Sequence, residues 1–460
     1  MKIKRRGFMA GALAAAAIRG RLANARSTRG FTTLAVAGDS VITRRVKRTG
    51  DSKFGAVARL LRECDVAIAS CAMTFSDSST LIPAPKGIDL NLLCTSTGAD
   101  DLAWMGLDLM SCASNHALDY GAEGLSSTLR NLERVGINVA GAGDTLTQAS
   151  NPSYADAPTG RVALIGCATT FPESWIAADP RPDFNGRPGI NGIGVDLTYR
   201  LPSADFEELK RIGHLLVPGA RPLRDLVPGS GALLESASES DNALTLLDRK
   251  FVRGEAGIDA VPRASDMKRL TEAIEMARRR ASIVCVMLHE HGNYDPGTFL
   301  QKMARDCIEA GADCFVVSGS HVFGGVEVYR GKAIVYGLGN FFFEYDTLPR
   351  IPAEVYQAYG FDPQTRDSSR VFNAISERYF DKEPKYWESG IVRLRFDESR
   401  LTALEVHPIA LGLGEASFER GAPRLASPTQ AASILARIAR ASEPYGTTLS
   451  VKDSVGSFRF

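Results

Sequence analysis

Short apolar runs rich in β-branched residues alternate with runs of helical periodicity through most of the first 345 residues. This alternation predicts an α/β fold rather than separate all-helical and all-strand parts. The strand-like runs are 33–38, 65–70, 107–114, 137–142, 161–169, 282–289 and 313–317, and the helical runs are 54–64, 121–135, 264–280 and 296–310. Towards the end of the chain the pattern predicts paired strands at 389–396 and 401–410 and a helix at 428–441.

Two stretches interrupt the alternation. Residues 177–260 are rich in Pro, Gly and Ser, and residues 345–385 mix aromatic with charged side chains. Long stretches without a clear period are usually functional loops or solvated insertions. An active-site lid and plain surface are therefore both open for each stretch. Between them, residues 325–343 predict a hairpin that turns at 330–332.

The composition is that of an ordinary globular protein, with 44% of the 460 residues hydrophobic and 23% charged. A chain of this length can form several domains or one α/β domain with insertions. The net charge of +1 includes six basic residues and no acidic ones within the first 25 positions, so the remainder carries −5. A mildly acidic chain without a basic stripe has no general attraction for nucleic acid, and no nucleic-acid partner is expected.

The first 25 residues have the features of a twin-arginine export signal. Lys4-Arg5-Arg6-Gly7-Phe8-Met9 is followed by an apolar run from 9 to 18 and by a small-residue cleavage site at Ala23-Asn24-Ala25. The apolar run is shorter than the ~20 helical residues that span a bilayer. We therefore expect a periplasmic or extracellular protein without a transmembrane anchor after cleavage. A basic amphipathic helix is the alternative.

Eight cysteines are scattered along the chain without a C-x-x-C pair. Several lie inside strand-like apolar runs, where a free cysteine acts as a small buried hydrophobe. We expect mostly buried thiols.

Polar side chains stand at the predicted ends of four strands. The four loops are Gly38-Asp39, Ser114-Asn115-His116, Leu288-His289-Glu290-His291-Gly292 and Ser318-Gly319-Ser320-His321. Ligand sites of α/β sheets lie beyond the carboxyl ends of the strands. Carboxylate, amide and imidazole groups are ligands of hard or borderline divalent cations. Because four of the six histidines fall in these loops, a shared site is a better explanation than packing.

Two blocks of sequence carry a family resemblance. The first block contains SNHALDYG (114–121) and GINVAGAG (136–143), and the second contains AGAD (310–313), HVFGGVEVYRG (321–331) and YGLGNF (336–341). Together with RPGI (187–190) and YGT (445–447), they make the chain similar to the CapA family of capsule and poly-γ-glutamate biosynthesis proteins. The likeness covers nearly all of residues 26–460.

The resemblance implies the fold of the calcineurin-like metallophosphatases, an α/β/β/α arrangement of two packed β-sheets flanked by helices. Residues 26–460 would form this domain, with insertions at about 177–260 and 345–385. In that superfamily, two metal ions activate water and clamp the attacked phosphoryl group. The expected cofactor is a divalent metal such as Mn, Fe, Zn or Mg.

The roles of individual residues follow from the same resemblance. Asp39 and His321 would bind the first metal, and Asn115 and His289 the second. His116 would donate a proton to the leaving group. Asp119 would orient the His116 ring. Asn340 would face the site and contact substrate, or would serve only to form a tight strand end.

The sequence departs from the family pattern at two positions. The family usually has Asn-Leu-Glu where this chain has Ser70-Cys71-Ala72, and a histidine where this chain has Ser318. Glu290 and His291 are possible substitute ligands. Two close dications without a bridging carboxylate repel each other strongly. One metal, or none, is therefore expected rather than two.

Two functions remain open from the sequence. The first is a metal-dependent hydrolase of the cell envelope that acts on a phosphoester or an acidic polymer such as poly-γ-glutamate. The second is a non-catalytic envelope component that binds polymer or biosynthesis proteins on a degraded metallophosphatase scaffold, as Ala72 and Ser318 would favour.

Overall fold

The computed structural model describes residues 30–45, 54–86, 89–216, 240–246, 249–292, 299–348, 350–365 and 368–459. The predicted export signal, residues 1–25, lies outside these ranges. Within them, no helix combines the length and the hydropathy that crossing a membrane requires. All eight cysteines are described, and each is a buried thiol, which agrees with the prediction of mostly buried thiols.

The strands fall in chain order as follows. The first twelve are β1 (Thr32–Val41), β2 (Val66–Ser70), β3 (Thr74–Phe75), β4 (Leu93–Cys94), β5 (Leu109–Ser111), β6 (Asn138–Ala140), β7 (Ala142–Gly143), β8 (Ser153–Ala157), β9 (Gly160–Ala168), β10 (Gly189–Ile190), β11 (Val195–Leu201) and β12 (Ala243–Leu246). The others are β13 (Arg249–Arg253), β14 (Gly257–Pro262), β15 (Ile283–His289), β16 (Cys314–Ser318), β17 (Val326–Tyr329), β18 (Lys332–Val335), β19 (Asn340–Phe343), β20 (Glu388–Asp397), β21 (Arg400–Ala410), β22 (Arg424–Leu425), β23 (Thr448–Lys452) and β24 (Val455–Arg459).

The described α-helices lie between these strands. They are α1 (Gly55–Glu63), α2 (Ser96–Met105), α3 (Gly121–Arg134), α4 (Leu146–Ser150), α5 (Ser203–Leu216), α6 (Ala264–Arg278), α7 (Gln301–Glu309), α8 (Ala353–Ala358), α9 (Ser368–Tyr379) and α10 (Pro428–Ser442). Helix α10 shows how the sequence sets an element: Ser427 and Gln430 form a capping box at its start. Its buried side chains recur every three or four residues, as an amphipathic helix requires.

The larger sheet is mixed and has ten strands in the order β23-β24-β21-β20-β1-β2-β5-β6, with β19 beside β1 and β22 beside β21. Every residue of β1 is buried, which is the pattern of a central strand covered on both faces. Strands β1, β2, β5 and β6 run parallel, so their carboxyl ends lie at one edge of the sheet.

A second mixed sheet has six strands in the order β17-β18-β16-β15-β9-β8. Strands β9, β15, β16 and β18 run parallel. One cluster of buried side chains draws on both sheets: it contains Leu34 and Val36 of the larger sheet and Leu164 and Met287 of the smaller one. The predicted α/β class is confirmed by these mixed sheets and the helices between them.

The predicted hairpin at 325–343 is correct only in its first part. Strands β17 and β18 pair antiparallel around the turn at Arg330-Gly331, but β19 pairs with β1 in the larger sheet. Gly339, with φ +67°, lies at the crossing between the sheets. A Cβ on the facing Gly38 would collide with the Gly339 carbonyl oxygen, so this close approach requires glycine at position 38.

Contacts within the chain divide it into two compact units. One comprises residues 1–192, 269–291 and 304–460, and the other comprises 193–268 and 292–303. The described part of the second unit has its own four-stranded sheet, in the order β12-β13-β11-β14. Phe206 of α5 packs there with Leu244 and Leu246 of β12. The described part of the stretch 177–260 is therefore more regular than its composition predicts.

Candidate metal centre and active site

A cavity of about 390 Å³ in the first unit collects most of the predicted site residues. Those on its wall are Asp39, Asn115, His116, His289 and His321. The other two, Asp119 and Asn340, are fully buried and do not line the cavity. They bond to His116 and His321, respectively, from behind. All seven predicted side chains thus belong to one constellation.

Three polar side chains converge on one another within the cavity. Oδ1 of Asn115 lies 3.0 Å from Nε2 of His289, and that nitrogen lies 3.1 Å from Nε2 of His291. Asn115 follows β5 in the larger sheet, whereas His289 ends β15 in the smaller sheet. Asn115, His289 and His291 are called the donor triad below. A cation at this point would be bound by Oδ1 of Asn115 and the Nε2 atoms of His289 and His291.

Asp39 lies beside the donor triad at the end of β1. Its Oδ2 accepts a hydrogen bond of 2.8 Å from the amide of Gly319, while Oδ1 is buried without a hydrogen-bond partner. Oδ1 lies 3.6 Å from Nδ1 of His289. Burial by itself would raise the pKa of Asp39, but interaction with the nearby His289 and His321 rings outweighs it. The pKa of this carboxyl is therefore well below its usual range, and Asp39 is ionised.

His321 is held in an unusual backbone conformation. Its φ of +58° lies in the left-handed region, which side chains other than Gly and Asn rarely adopt. Nδ1 of His321 lies 2.9 Å from Oδ1 of Asn340, and Nδ2 of Asn340 donates to the carbonyl of Tyr386 over 3.0 Å. The Asn340 amide orientation makes Oδ1 the acceptor, so His321 carries its proton on Nδ1. The hydrogen bond to Asn340 therefore uses Nδ1 and leaves the lone pair on Nε2 of His321.

His116 forms a second polar group with Asp119 and Lys86. Nδ1 of His116 lies 2.8 Å from Oδ2 of Asp119, which also accepts a 2.6 Å bond from the amide of Leu92. Lys86 donates to Oδ1 of Asp119 over 2.9 Å. Since the Asp119 carboxylate can only accept, the Nδ1 proton of His116 points to it. Nε2 of His116 is then the ring nitrogen available for proton transfer.

Lys86 is a site residue that the sequence analysis missed. Its side chain is only 5% exposed and forms ion pairs of 2.9 Å with both Asp89 and Asp119. Burial opposes its charge, but the two carboxylates outweigh burial and raise the pKa of Lys86. Lys86 therefore stays cationic and fixes the Asp119 carboxylate. The sequence around Lys86 has no distinctive spacing to His116 or Asp119, so its contact with Asp119 is visible only in the fold.

The two substitute ligands named from the sequence have different surroundings. Glu290 accepts hydrogen bonds from the hydroxyls of Thr169 and Thr170 and does not line the cavity. His291 does line it. Burial, with the neighbouring His289 and His321 rings, lowers the pKa of His291 to about 2. The ring is neutral and has a lone pair to offer.

The donors present suit one divalent cation better than two. In the described residues, no group of three or more His, Cys, Asp or Glu side chains has an arrangement that could hold a metal. The donor triad instead combines two imidazoles with an amide oxygen, a mixture that borderline divalent ions accept. Asp39, with its unpartnered Oδ1, adds a negative charge nearby. Ala72 lines the cavity where the family carboxylate is expected, and it offers no bridge between two ions.

One side of the cavity is aromatic. Phe343, Tyr345, Tyr359, Tyr379 and Phe380, called the aromatic wall below, all line it. Ring centroids of Phe343 and Phe380 are 5.2 Å apart, and the His321 ring lies 5.6 Å from Phe343. Four of the five residues come from the stretch 345–385, for which the sequence left lid and plain surface open. Its mixed composition gave no sign of which aromatic rings would face the site.

A buried cation fixes the segment that carries the aromatic wall. Arg420 pairs with Asp346, and its Nη1 atom lies 3.2 Å from Oδ2 of Asp381. Its guanidinium also stacks 4.9 Å from the centre of the Trp387 ring. Both acids flank the wall in sequence, one near Tyr345 and one next to Phe380. These contacts keep the wall in place against the core.

Fold and site together define an α/β protein whose parallel strands bring Asp, Asn and His side chains to one cavity. The chain belongs to the family described as bacterial capsule synthesis protein PGA_cap, whose model matches residues 33–345. All seven predicted site residues fall within that match. The last three residues of the aromatic wall, Tyr359, Tyr379 and Phe380, lie beyond it.

Individual relatives agree with this membership. An uncharacterized protein, y4sH of Sinorhizobium fredii (strain NBRC 101917 / NGR234), is 33% identical over 450 residues, which is 94% of this chain and 93% of the relative. The capsule biosynthesis protein CapA of Bacillus anthracis is 23% identical over 68% of this chain and 60% of its own length. The PGA biosynthesis protein CapA of Bacillus subtilis (strain 168) is 23% identical over 67% and 62%, respectively.

Proposed function

We propose that this chain is an exported cell-envelope protein of capsule or poly-γ-glutamate biosynthesis and a metal-dependent hydrolase of a phosphoester or an acidic polymer. A role in capsule or poly-γ-glutamate biosynthesis is supported by family membership and by the names of the two Bacillus relatives. The shared buried cluster of the two mixed sheets supports a metallophosphatase-like sandwich as the scaffold.

The convergence of the donor triad is the observation that carries the proposal. Asn115 and His289 come from different sheets, yet their donor atoms lie 3.0 Å apart. His289 and His291 approach through two nitrogens at 3.1 Å, where at most one can supply a proton to the contact. Because Oδ1 of Asn115 only accepts, one proton on Nε2 of His289 would have to serve both contacts. A cation between them would relieve the crowding of lone pairs.

The donor triad would hold one divalent cation, with Asp39 balancing its charge. A cation there supplies Lewis-acid polarisation of the attacked group. Asp39 is ionised and its Oδ1 lies 3.6 Å from Nδ1 of His289, so the carboxylate helps to orient that ring. Asn340 gives His321 the same kind of support. We therefore assign Asn340 to positioning His321 rather than to contacting substrate.

His116 is the proton donor in this proposal. In its imidazolium form His116 donates its Nδ1 proton to the Asp119 carboxylate and carries a second proton on Nε2, which it can give to the leaving oxygen or nitrogen. Asp119 is itself fixed by Lys86 and by the amide of Leu92. A general acid held in one orientation does not have to reorient its ring before it transfers the proton. General acid–base groups of this type contribute roughly 10²–10⁴-fold to rate.

Export by the twin-arginine route belongs to the same proposal. It rests on Arg5 and Arg6, the short apolar run and the small-residue cleavage site. Cell fractionation of the parent and of an Arg5→Lys, Arg6→Lys variant tests it. We expect the parent outside the cytoplasm and the variant inside. Equal distribution of the two would refute this route.

Hydrolysis assays test the enzymatic part of the proposal. Purified protein is incubated with Mn²⁺, Zn²⁺ or Mg²⁺ and with aryl phosphates, aryl phosphodiesters and poly-γ-glutamate, with and without a chelator. We expect chelator-sensitive hydrolysis of at least one substrate, and its loss in His116→Ala with metal content unchanged. A His407→Gln variant is the matched control, since His407 in β21 does not line the cavity. Hydrolysis that survives both the chelator and His116→Ala would contradict the mechanism.

A non-catalytic role is the second candidate, and the residues at positions 72 and 318 favour it. Ala72 lines the cavity without a ligand atom, and the Ser318 hydroxyl lies 3.2 Å from Nδ1 of His289, where it supports the ring. A metal-loaded protein that hydrolyses none of these substrates but binds poly-γ-glutamate would establish this role instead.

A further inference from the structure

We propose that the cavity binds a substrate whose reacting group carries an apolar ring or an alkyl group of similar size, and that it disfavours a free polyanionic chain. This inference rests on the proposed function, since the reacting group would lie at the donor triad. It narrows the substrate from any phosphoester or acidic polymer to one with an apolar neighbour at the reacting bond.

The charges on the cavity wall carry the first step. Among the described residues that line it, the acids are Asp39 and Asp89, and none is a lysine or an arginine. Lys86, a buried cation 3.2 Å from Nδ1 of His116, is paired with the Asp89 and Asp119 carboxylates. A polyanion would bring repeated negative charge against the Asp39 and Asp89 carboxylates and the uncharged rings of the aromatic wall. One cation at the donor triad would balance the negative charge of the reacting group but not that of the rest of a polyanion.

The apolar lining carries the second step. Besides the aromatic wall, Val41, Ala72, Leu90, Leu92 and Ile375 line the cavity. A cavity of about 390 Å³ is near the lower end of the range for small-molecule sites. It has room for a reacting group together with one ring or a short alkyl chain. Such a group gains free energy roughly in proportion to the apolar surface it buries.

The rigidity of the aromatic wall carries the third step. Phe380 packs at 5.2–5.5 Å from the rings of Phe343, Tyr345 and Tyr386. Arg420 ties the flanking acids to the core. A surface that is already ordered loses little entropy when a ligand binds to it. The wall is therefore a preformed binding surface for an apolar group.

Binding of three non-hydrolysable phosphonates and of tri-γ-glutamate tests the proposal. Calorimetry compares methylphosphonate, butylphosphonate, phenylphosphonate and tri-γ-glutamate on the purified chain loaded with Mn²⁺, after Mn²⁺ binding itself has been measured. We expect phenylphosphonate or butylphosphonate to bind at least tenfold more tightly than methylphosphonate, and tri-γ-glutamate to bind most weakly. The ring and alkyl probes distinguish an aromatic from an aliphatic occupant.

Variants show whether the aromatic wall causes the difference. Tyr379 is 43% exposed and lines the cavity, so Tyr379→Ser should fold and should lose most of the preference for the apolar probes. Phe380→Ala should lose more of it. Phe184→Ala is the control, because Phe184 is 75% exposed and does not line the cavity.

The outcomes separate this inference from the proposed function. Absence of Mn²⁺ binding would remove the proposed metal centre, whatever the probes do. Normal Mn²⁺ binding with equal affinity for methylphosphonate and phenylphosphonate, or tightest binding of tri-γ-glutamate, would overturn only the assignment of an apolar substrate. A preference that survives in Tyr379→Ser and Phe380→Ala would also overturn it.

Discussion

The side-chain oxygen of Asn115 lies 3.0 Å from Nε2 of His289, although 174 positions separate the two residues in the chain. The contact joins the ends of two strands in different sheets, β5 and β15. Asn115 and His289 can approach each other in this way only when the two sheets are packed together as they are here. The polar centre is therefore a property of the fold as a whole, and changes that shift either strand end should disturb it.

The pair of His321 and Asn340 gives the first prediction. Asn340→Leu removes the oxygen that lies 2.9 Å from Nδ1 of His321, so the ring loses its fixed orientation and proton position. Loss of a group that supports a metal ligand typically costs about 10–100-fold in metal affinity or activity, and His321, on the cavity wall, would bind the ion together with the donor triad. Titration with Mn²⁺ and the hydrolysis assay measure both. Asn340→Asp keeps an acceptor and should recover most of the loss, and no difference between the variants would contradict this role.

A second prediction concerns Asp119. Asp119→Asn replaces an acceptor with an amide that can donate to Nδ1, which favours the wrong tautomer of His116. We expect kcat to fall roughly 10²–10⁴-fold while KM and metal content stay near those of the parent. Lys86→Met should have a smaller effect in the same direction, because Leu92 still holds Asp119. A loss of metal in Asp119→Asn would show a structural role instead.

Arg420 provides a prediction about stability. Its side chain is 9% exposed and Asp346 is 2% exposed, so the pair is buried. Arg420→Met leaves Asp346 without its cation and should lower the free energy of unfolding by about 3–5 kcal/mol. Urea unfolding measures the change. The double variant Arg420→Met, Asp346→Asn should regain part of the loss, and a single-variant loss below about 1 kcal/mol would be inconsistent with a buried pair.

The position of Ala72 gives a gain-of-function prediction. Ala72 lines the cavity, so a glutamate there can direct a carboxylate towards the donor triad. We expect Ala72→Glu to raise the affinity for Mn²⁺ and to add a second ion at high concentration. Ala72→Gln has the same size without the charge and should do neither. Metal content of the two variants after dialysis decides between them.

The sequence alone was sufficient for the α/β class and for most residues of the site. The end of a strand can be recognised in the sequence where an apolar run stops at a polar residue. Parallel strands then bring such ends together at one edge of the sheet. The family resemblance paired Asp119 with His116, three positions away, and their Oδ2 and Nδ1 atoms lie 2.8 Å apart. The family motifs added the assignment of roles, which the residues by themselves left open.

Other features depend on tertiary pairing that no local pattern encodes. Strand β19 continues the apolar pattern of a hairpin, yet it pairs with β1, where Gly38 permits close approach of the Gly339 carbonyl. Lys86 becomes a site residue only because its loop brings it to Asp119. The aromatic wall was missed because burial next to a cavity and burial in a core give the same sequence pattern.

Metal binding by the donor triad is the central claim, and elemental analysis tests it most directly. The parent, a His289→Ala, His291→Ala variant and the control His407→Gln are each dialysed against excess Mn²⁺, Zn²⁺ and Mg²⁺ and then against buffer. Circular dichroism checks that all three are folded. We predict about one metal ion per chain in the parent and the control and none in the double variant. No retained metal in the folded parent, or equal metal in all three proteins, would contradict the account.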